Sequence, residues 1–390
     1  MKISQSALPP LSLYLHLPWC EQKCPYCDFN SHALRYELQE QEYLEALLID
    51  IDQEQGFLTE RPLHSVFIGG GTPSLFSSVA IEQLLGTILE LAGGNQQIEI
   101  TLEANPSSAE AERFAGYRKA GVTRLSIGVQ SFSNRSLGLL GRVHDKKQAV
   151  MAIAAAREAG FSNLNLDLMF SLPGQDENGA LDDLETALRF EPNHLSLYQL
   201  TIEPNTRFAI DRPVLPDEET DWLIRSTVYD RVAAAGYQRY EVSAFSQPNQ
   251  HCQHNLNIWQ FGDYLGIGAG AHGKVTTPEG VIRYTKERHP NRYMEKAVAG
   301  SALAQSRVIL PDDLRFEFML NALRLVDGFT PAKFTERTGL PRTFLDEQLD
   351  DAYQRGLLDT TEGRIRATEF GYRFLDDLVQ LFLPKKILKL

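Results

Sequence analysis

Residues 11–27 read Leu11-Ser-Leu-Tyr-Leu-His-Leu17-Pro-Trp-Cys20-Glu-Gln-Lys-Cys24-Pro-Tyr-Cys27. The alternating apolar run 11–17 predicts a strand, and a loop begins where it ends. That loop carries three of the chain's four cysteines within eight residues, spaced C-x₃-C-x₂-C. Three thiolates this close can converge on one metal centre. On a four-metal cluster they leave one coordination position open for chemistry. Structural zinc is a second reading, with His16 or His32 completing a set of four ligands. A disulfide is a third, although an odd set cannot pair off and four cysteines make no framework for 390 residues. Neither alternative accounts for the rest of the chain.

Working outward, short apolar runs alternate with longer helical patterns. Strands are expected at 11–17, 64–69, 98–103, 124–129, 163–170 and 194–201, with helices near 36–53, 79–91, 109–120, 146–159 and 181–190. Gly121 and Gly160 close two of these helices, as a C-cap glycine does. This order predicts right-handed βαβ units around a parallel sheet. Six units are too few for an eight-stranded barrel, so an open six-stranded partial barrel is expected. A further strand is read at 239–244, and the alternation fades after Gly273. From Pro311 the chain reads helix, helix, a short strand and a final helix over 368–382, a small winged-helix-like α+β module. The expected division is 1–273, a connecting segment 274–310, and 311–390.

At 390 residues and 43% hydrophobic composition the chain can bury one large core and one small one. Its net charge of −13 argues against a nucleic-acid partner, including for the winged-helix-like module. The amino terminus lacks a signal peptide's apolar core, and no run approaches the ~18 apolar residues of a membrane span. Unpaired cysteines then point to a reducing cytoplasm.

Ligands of parallel α/β sheets bind beyond the carboxyl ends of the strands. There the sequence places Gly69-Gly70-Gly71-Thr72-Pro-Ser74, whose glycines allow close backbone approach. It also places Glu103, Gln130 and Asp167, with Arg142 just beyond the fourth strand. An unpaired carboxylate within the apolar 163–170 strand would be costly, so Asp167 needs either a backbone or arginine partner or a ligand hydroxyl pair. The planar fork of Arg142 suits a carboxylate.

The cysteine motif resembles that of the radical S-adenosylmethionine (SAM) superfamily, and nearly the whole chain is similar to the oxygen-independent coproporphyrinogen III dehydrogenase family. The resemblance implies a radical SAM partial (β/α)6 barrel, with Cys20, Cys24 and Cys27 on three irons of a [4Fe–4S] cluster and SAM on the fourth. It implies Tyr14 and Tyr26 flanking SAM, and Gly70, Gly71, Thr72 and Glu103 at its methionyl end. Gln130, Arg142 and Asp167 match positions that contact SAM, in the true dehydrogenase a second SAM.

One departure matters. The dehydrogenase pattern continues C-x₃-C-x₂-C-x-C, whereas the fourth position here is Phe29, which neither binds metal nor donates a thiol proton. The pattern ending in phenylalanine resembles a heme-chaperone branch of the same family. The segment His254-Asn-Leu-Asn-Ile-Trp259 resembles that branch's heme-binding H-N-x-x-Y-W motif, with Ile258 in place of tyrosine. The resemblance implies His254 as heme-iron ligand and Trp259 as a packing wall, with His251 and Cys252 as alternative ligands. Gly266–Gly273 is expected to pack against the bound cofactor. The carboxyl end, 378–390, reads as a helix docking on the core, or as a weak membrane-surface contact.

The expectation is therefore a cytoplasmic heme chaperone holding a [4Fe–4S] cluster, SAM and heme. It would pass heme to heme-accepting respiratory proteins, and the reading leaves room for a homodimer. The rival is a radical enzyme that decarboxylates the propionates of coproporphyrinogen III.

Overall fold

The computed structural model describes residues 8–94, 97–107 and 111–384. Six parallel strands lie side by side in chain order: β1 (Leu11–Leu17), β2 (Leu63–Gly70), β3 (Glu99–Ala104), β4 (Arg124–Gln130), β5 (Asn163–Phe170) and β6 (His194–Gln199). Helices Glu40–Gln53, Ser78–Leu91, Phe114–Lys119, Lys146–Glu158 and Glu177–Leu188 fall between them. Their starts are written locally. Ser77 and Asp176 accept from Ala80 and Gly179 backbone N–H groups, and Asp145 with Gln148 forms a capping box. Gly121 and Gly160 follow two helices at φ +108° and +85°, a region where a Cβ is unfavourable. Five of the seven β1 residues facing either side are leucine or serine at near-zero exposure, the burial expected of a strand covered on both faces.

The sheet is larger than the sequence reading. Strand Asp263–Ile267 pairs parallel with β1 on its free edge, and antiparallel strands His272–Thr277, Gly280–Lys286 and Leu303–Val308 continue from it. At the other edge, two short strands, Gln238–Arg239 and Ala244–Ser246, replace the single strand read at 239–244. The sheet thus runs on across position 273, inside the strand His272–Thr277.

Ion pairs hold this extension. Asp263 is fully buried and accepts from Lys274 Nζ at 2.7 Å and from the Thr276 backbone and hydroxyl at 2.9 Å, with Arg61 Nη1 2.9 Å away. Burial pushes its pKa up, but Lys274 and Arg61 outweigh burial and hold it below the usual aspartate value.

The carboxy-terminal region runs through helices Pro311–Ala322, Pro331–Thr338 and Asp346–Gln354, then a hairpin of Leu358–Thr361 with Arg364–Ala367. The expected final helix is two short ones, Glu369–Arg373 and Leu375–Gln380, separated at Phe374. This module has its own core around Phe318, Phe329 and Phe334, and Phe261, in the turn before strand Asp263–Ile267, and Val281 of the large sheet join it. Leu378, Val379 and Phe382 are buried there, whereas residues 385–390, with the basic part of the tail, lie outside the described residues.

Removing Asp263 would leave Lys274, 1% exposed, without its counter-charge. Asp263→Ala is therefore expected to destabilise the fold by about 3–5 kcal/mol. Urea denaturation checks this, and a loss under about 1 kcal/mol would show that the pair does not hold the extension.

Candidate functional site

The cysteine loop is fastened to the carboxyl ends of β1 and β2 by backbone bonds. Gly71 N–H donates to Leu17 O at 2.8 Å and Thr72 N–H to Trp19 O at 2.7 Å. His32 N–H donates to Pro18 O at 2.7 Å and Leu34 N–H to Cys20 O at 2.9 Å, so the loop folds back on its own start. The approach requires glycine. A Cβ on Gly71 would lie 2.5 Å from Trp19 O, and one on Gly70, at φ +121°, would lie 2.7 Å from the His16 ring.

Cys20, Cys24 and Cys27 line one cavity of about 390 Å³. Its other walls are Tyr26 of the same loop and Gly70, Gly71, Thr72, Glu103, Gln130, Arg142 and Asp167, drawn from the ends of β2 to β5 and the segments after β2 and β4. Every sequence-expected SAM residue is here except Tyr14, which lines an adjoining chamber. Asn105, Ser126, Met169 and Tyr198 also line it and escaped the sequence reading. Ser126 and Gln130 share the inward face of β4 with Gly128, which the period of two could have revealed.

The donor set suits an iron–sulfur cluster. Among the described residues no three His, Cys, Asp or Glu side chains converge closely enough for a single ion. A four-iron cluster takes one thiolate per iron and needs the wider spacing of three thiols around a shared cavity. Burial pushes the Cys20 thiol up to about 11, an unfavourable setting for a free thiolate that a bound cation relieves. Arg142 Nη1 donates to Cys24 Sγ at 3.5 Å, and its Nη2 donates to Asn105 Oδ1 at 2.6 Å and Gly128 O at 2.9 Å. Asn105 in turn donates to Thr72 Oγ1 at 2.8 Å. This chain of bonds fixes a cation beside the cysteine loop.

The same cavity is lined by two half-buried carboxyl groups. Burial, then the nearby Asp167, pushes Glu103 up to about 7, while a 3.1 Å bond from Gly70 N–H pulls the other way. Asp167 is also raised by burial, although Ser126 Oγ at 3.1 Å and Asn165 Nδ2 at 2.8 Å donate to it. The two carboxyls together form an acidic wall able to meet an ammonium and hydroxyl groups. Gln130 reaches the cavity from a bulge in β4, at φ +64°.

Helix Gln253–Trp259 places the two residues expected at heme, His254 and Trp259, on different faces. His254 is 2% exposed and lies over the start of β2, with Nδ1 3.1 Å from Ser65 Oγ and its ring against Phe67. Its Nε2 is buried without a hydrogen-bond partner, and burial lowers the ring pKa to about 3. Ser65 stands five residues before Gly70, roughly 16 Å along the strand from the cysteine cavity. Trp259 points elsewhere, because five helical positions turn the side chain by roughly 140°. It borders a cleft against the carboxy-terminal module, with the Arg324 guanidinium 4.3 Å over its ring. The two residues therefore share no open face. His251 stacks on Tyr240, and Cys252 is fully buried against Glu99.

The sequence matches the Radical SAM superfamily over residues 14–187 and the HemN C-terminal domain over 309–374. The fold follows the solved structure described as coproporphyrinogen III oxidase (HemN) from Escherichia coli, a radical SAM enzyme. The TM-score is 0.81 at 24% identity, over 96% of this chain and 90% of that one. Fold, cysteine loop and carboxy-terminal module together define a radical SAM superfamily protein of HemN-like architecture. The chain is 48% identical to the heme chaperone HemW of Escherichia coli (strain K12), over 97% of this chain and 99% of the relative. It is 46% identical to that of Haemophilus influenzae over 97% and 99%, and 33% identical to that of Bacillus subtilis over 95% and 99%. It belongs to the family of the heme chaperone HemW.

Because Glu103 titrates near 7 in the folded state and near 4.5 when unfolded, the folded chain holds a proton across that window that the unfolded chain has lost. In the ligand-free protein this contribution is full below pH 4.5 and declines as pH rises to about 7. Glu103→Gln is expected to flatten that decline in denaturation midpoints measured from pH 5 to 8. An unchanged slope would place the Glu103 pKa in the ordinary range.

Proposed function

We propose that this chain is a heme chaperone that binds heme, carries a SAM-ligated [4Fe–4S] cluster and passes the heme to acceptor proteins. The observation that carries this reading is the near full-length likeness to chaperones of that name. Phe29 supports it: where the dehydrogenase pattern has a fourth cysteine, a 62% exposed phenyl ring borders the cysteine cavity.

The residues divide the work by chemistry. Cys20, Cys24 and Cys27 would hold three irons, with the fixed Arg142 guanidinium donating to Cys24 Sγ. Gly70, Gly71 and Thr72 offer backbone groups and a hydroxyl to the methionyl end of SAM, with Glu103 accepting from its ammonium. Asp167 suits the ribose hydroxyls, and Tyr26 packs beside them. When bound, the cluster and SAM would supply one-electron chemistry at this cavity. The protein's part is to orient these groups and keep water from them.

Acceptors that are respiratory heme proteins, a cytoplasmic location and a homodimer belong to the same reading. No described helix is long and apolar enough to cross a membrane, and a weak membrane-surface contact would suit delivery to such acceptors. We place the functional division near residue 309, ahead of helix Pro311–Ala322, because the antiparallel strands before it belong to the large sheet.

The test is anaerobic. The reconstituted chain is loaded with heme and mixed with an apo b-type cytochrome, and in parallel is given SAM, reductant and coproporphyrinogen III beside a verified dehydrogenase. Transfer of heme without protoporphyrinogen is the expected result. Protoporphyrinogen formation at the control's rate would overturn the chaperone reading. In the same preparation Cys24→Ser should lower bound iron to background, measured by iron assay and visible absorption. Undiminished iron in that variant would remove Cys24 from the cluster.

A further inference from the structure

A larger chamber of about 830 Å³ adjoins the cysteine cavity and shares Asp28, Phe29, Gly70 and Glu103 with it. Its volume lies within the roughly 300–1,000 Å³ typical of ligand and cofactor sites. Tyr14, Phe29 and Ile258 give it apolar walls, the last from helix Gln253–Trp259. The antiparallel strands close the far side, where His272 and Thr285 face each other in register.

Two histidines border the chamber, and only one is available. His16 is 5% exposed, and its ring nitrogens are engaged by Tyr14 Oη at 3.0 Å and Asn30 O at 3.0 Å. His272 is exposed, and its ring has no hydrogen-bond partner among the described residues. Burial, then Arg283 and Arg288, lowers its pKa, which keeps the imidazole in the neutral form that binds metal. Arg288 also lines the chamber, and among the described residues its guanidinium has no carboxylate partner. A planar guanidinium binds carboxylates bidentately. The chamber thus presents apolar side chains, one free imidazole and one free guanidinium, beside the carboxyl groups of Asp28, Glu103 and Glu287.

We infer that heme occupies this chamber, with the His272 imidazole on its iron and Arg288 at its propionates. The inference rests on the heme-binding reading above and moves the site away from His254, which is closed inside the barrel. It sets the porphyrin against Phe29, next to the cavity that holds the three cysteines.

Hemin is titrated anaerobically into the full-length chain, and absorbance with electron paramagnetic resonance reads affinity and axial ligation. His272→Ala should lose the histidine-ligated spectrum and weaken binding by about tenfold or more, and added imidazole should restore the spectrum. Ala304→Trp keeps every histidine but fills the chamber, and should weaken binding similarly. His254→Ala should keep the wild-type spectrum. Wild-type binding by both His272→Ala and Ala304→Trp would overturn the assignment while leaving heme binding intact. Failure of the wild-type chain to bind hemin would remove the chaperone reading as well.

Discussion

The site depends on one close approach: the backbone of Gly70 and Gly71 at the end of β2 against Leu17 to Cys20 at the end of β1. No side chain fits between them, as the 2.5 Å separation of a Gly71 Cβ from Trp19 O shows. Two consequences follow from two hydrogen bonds. The cysteine loop is pinned over the sheet edge, so its thiols face the cavity formed by β2 to β5. The glycine segment in turn places Gly70 N–H on Glu103, so the acidic wall is aligned by the same contact that aligns the thiols. A residue with a Cβ at either glycine would move both walls at once.

The six parallel strands were legible because each is a short apolar run closed by a helix with a local start or stop signal. The carboxyl-end rule then brought residues scattered from Cys20 to Asp167 into one cavity. The continuation of the sheet was not legible, for identifiable reasons. Leu303–Val308 is exposed at every position, so it shows no apolar alternation. The two strands before it bury Lys274 and Lys286, which read as surface residues until Asp263, Asp50 and Glu54 are seen beside them. The glycines of 266–273 read as a segment that packs against a bound cofactor. Gly266 and Gly273 instead let strands pack closely, a Cβ there meeting His272 O at 2.0 Å and the Tyr284 ring at 2.2 Å.

His254 shows what a motif hides. Read linearly, His254 and Trp259 form one group; on a helix they diverge, one towards the barrel interior and the other towards the carboxy-terminal module. The residue between them that faces the larger chamber is Ile258. That chamber is assembled from Tyr14, Phe29, Ile258, His272 and Ala304, which no spacing in the sequence links. Phe29 borders both chambers. Its position is where the dehydrogenase pattern carries a cysteine, so the substitution lies at the junction of the cysteine cavity and the proposed heme chamber. A phenyl ring there contributes apolar contact area and removes a thiol from reach of either ligand.

The most direct measurement is a crystal structure of the anaerobically reconstituted chain with SAM and heme. The account predicts a cluster on Cys20, Cys24 and Cys27, SAM against Gly70, Glu103 and Asp167, and heme in the adjoining chamber beyond Phe29 with iron at His272. Heme seated in the cleft beside Trp259, or coordinated by a His254 released from the barrel, would contradict it.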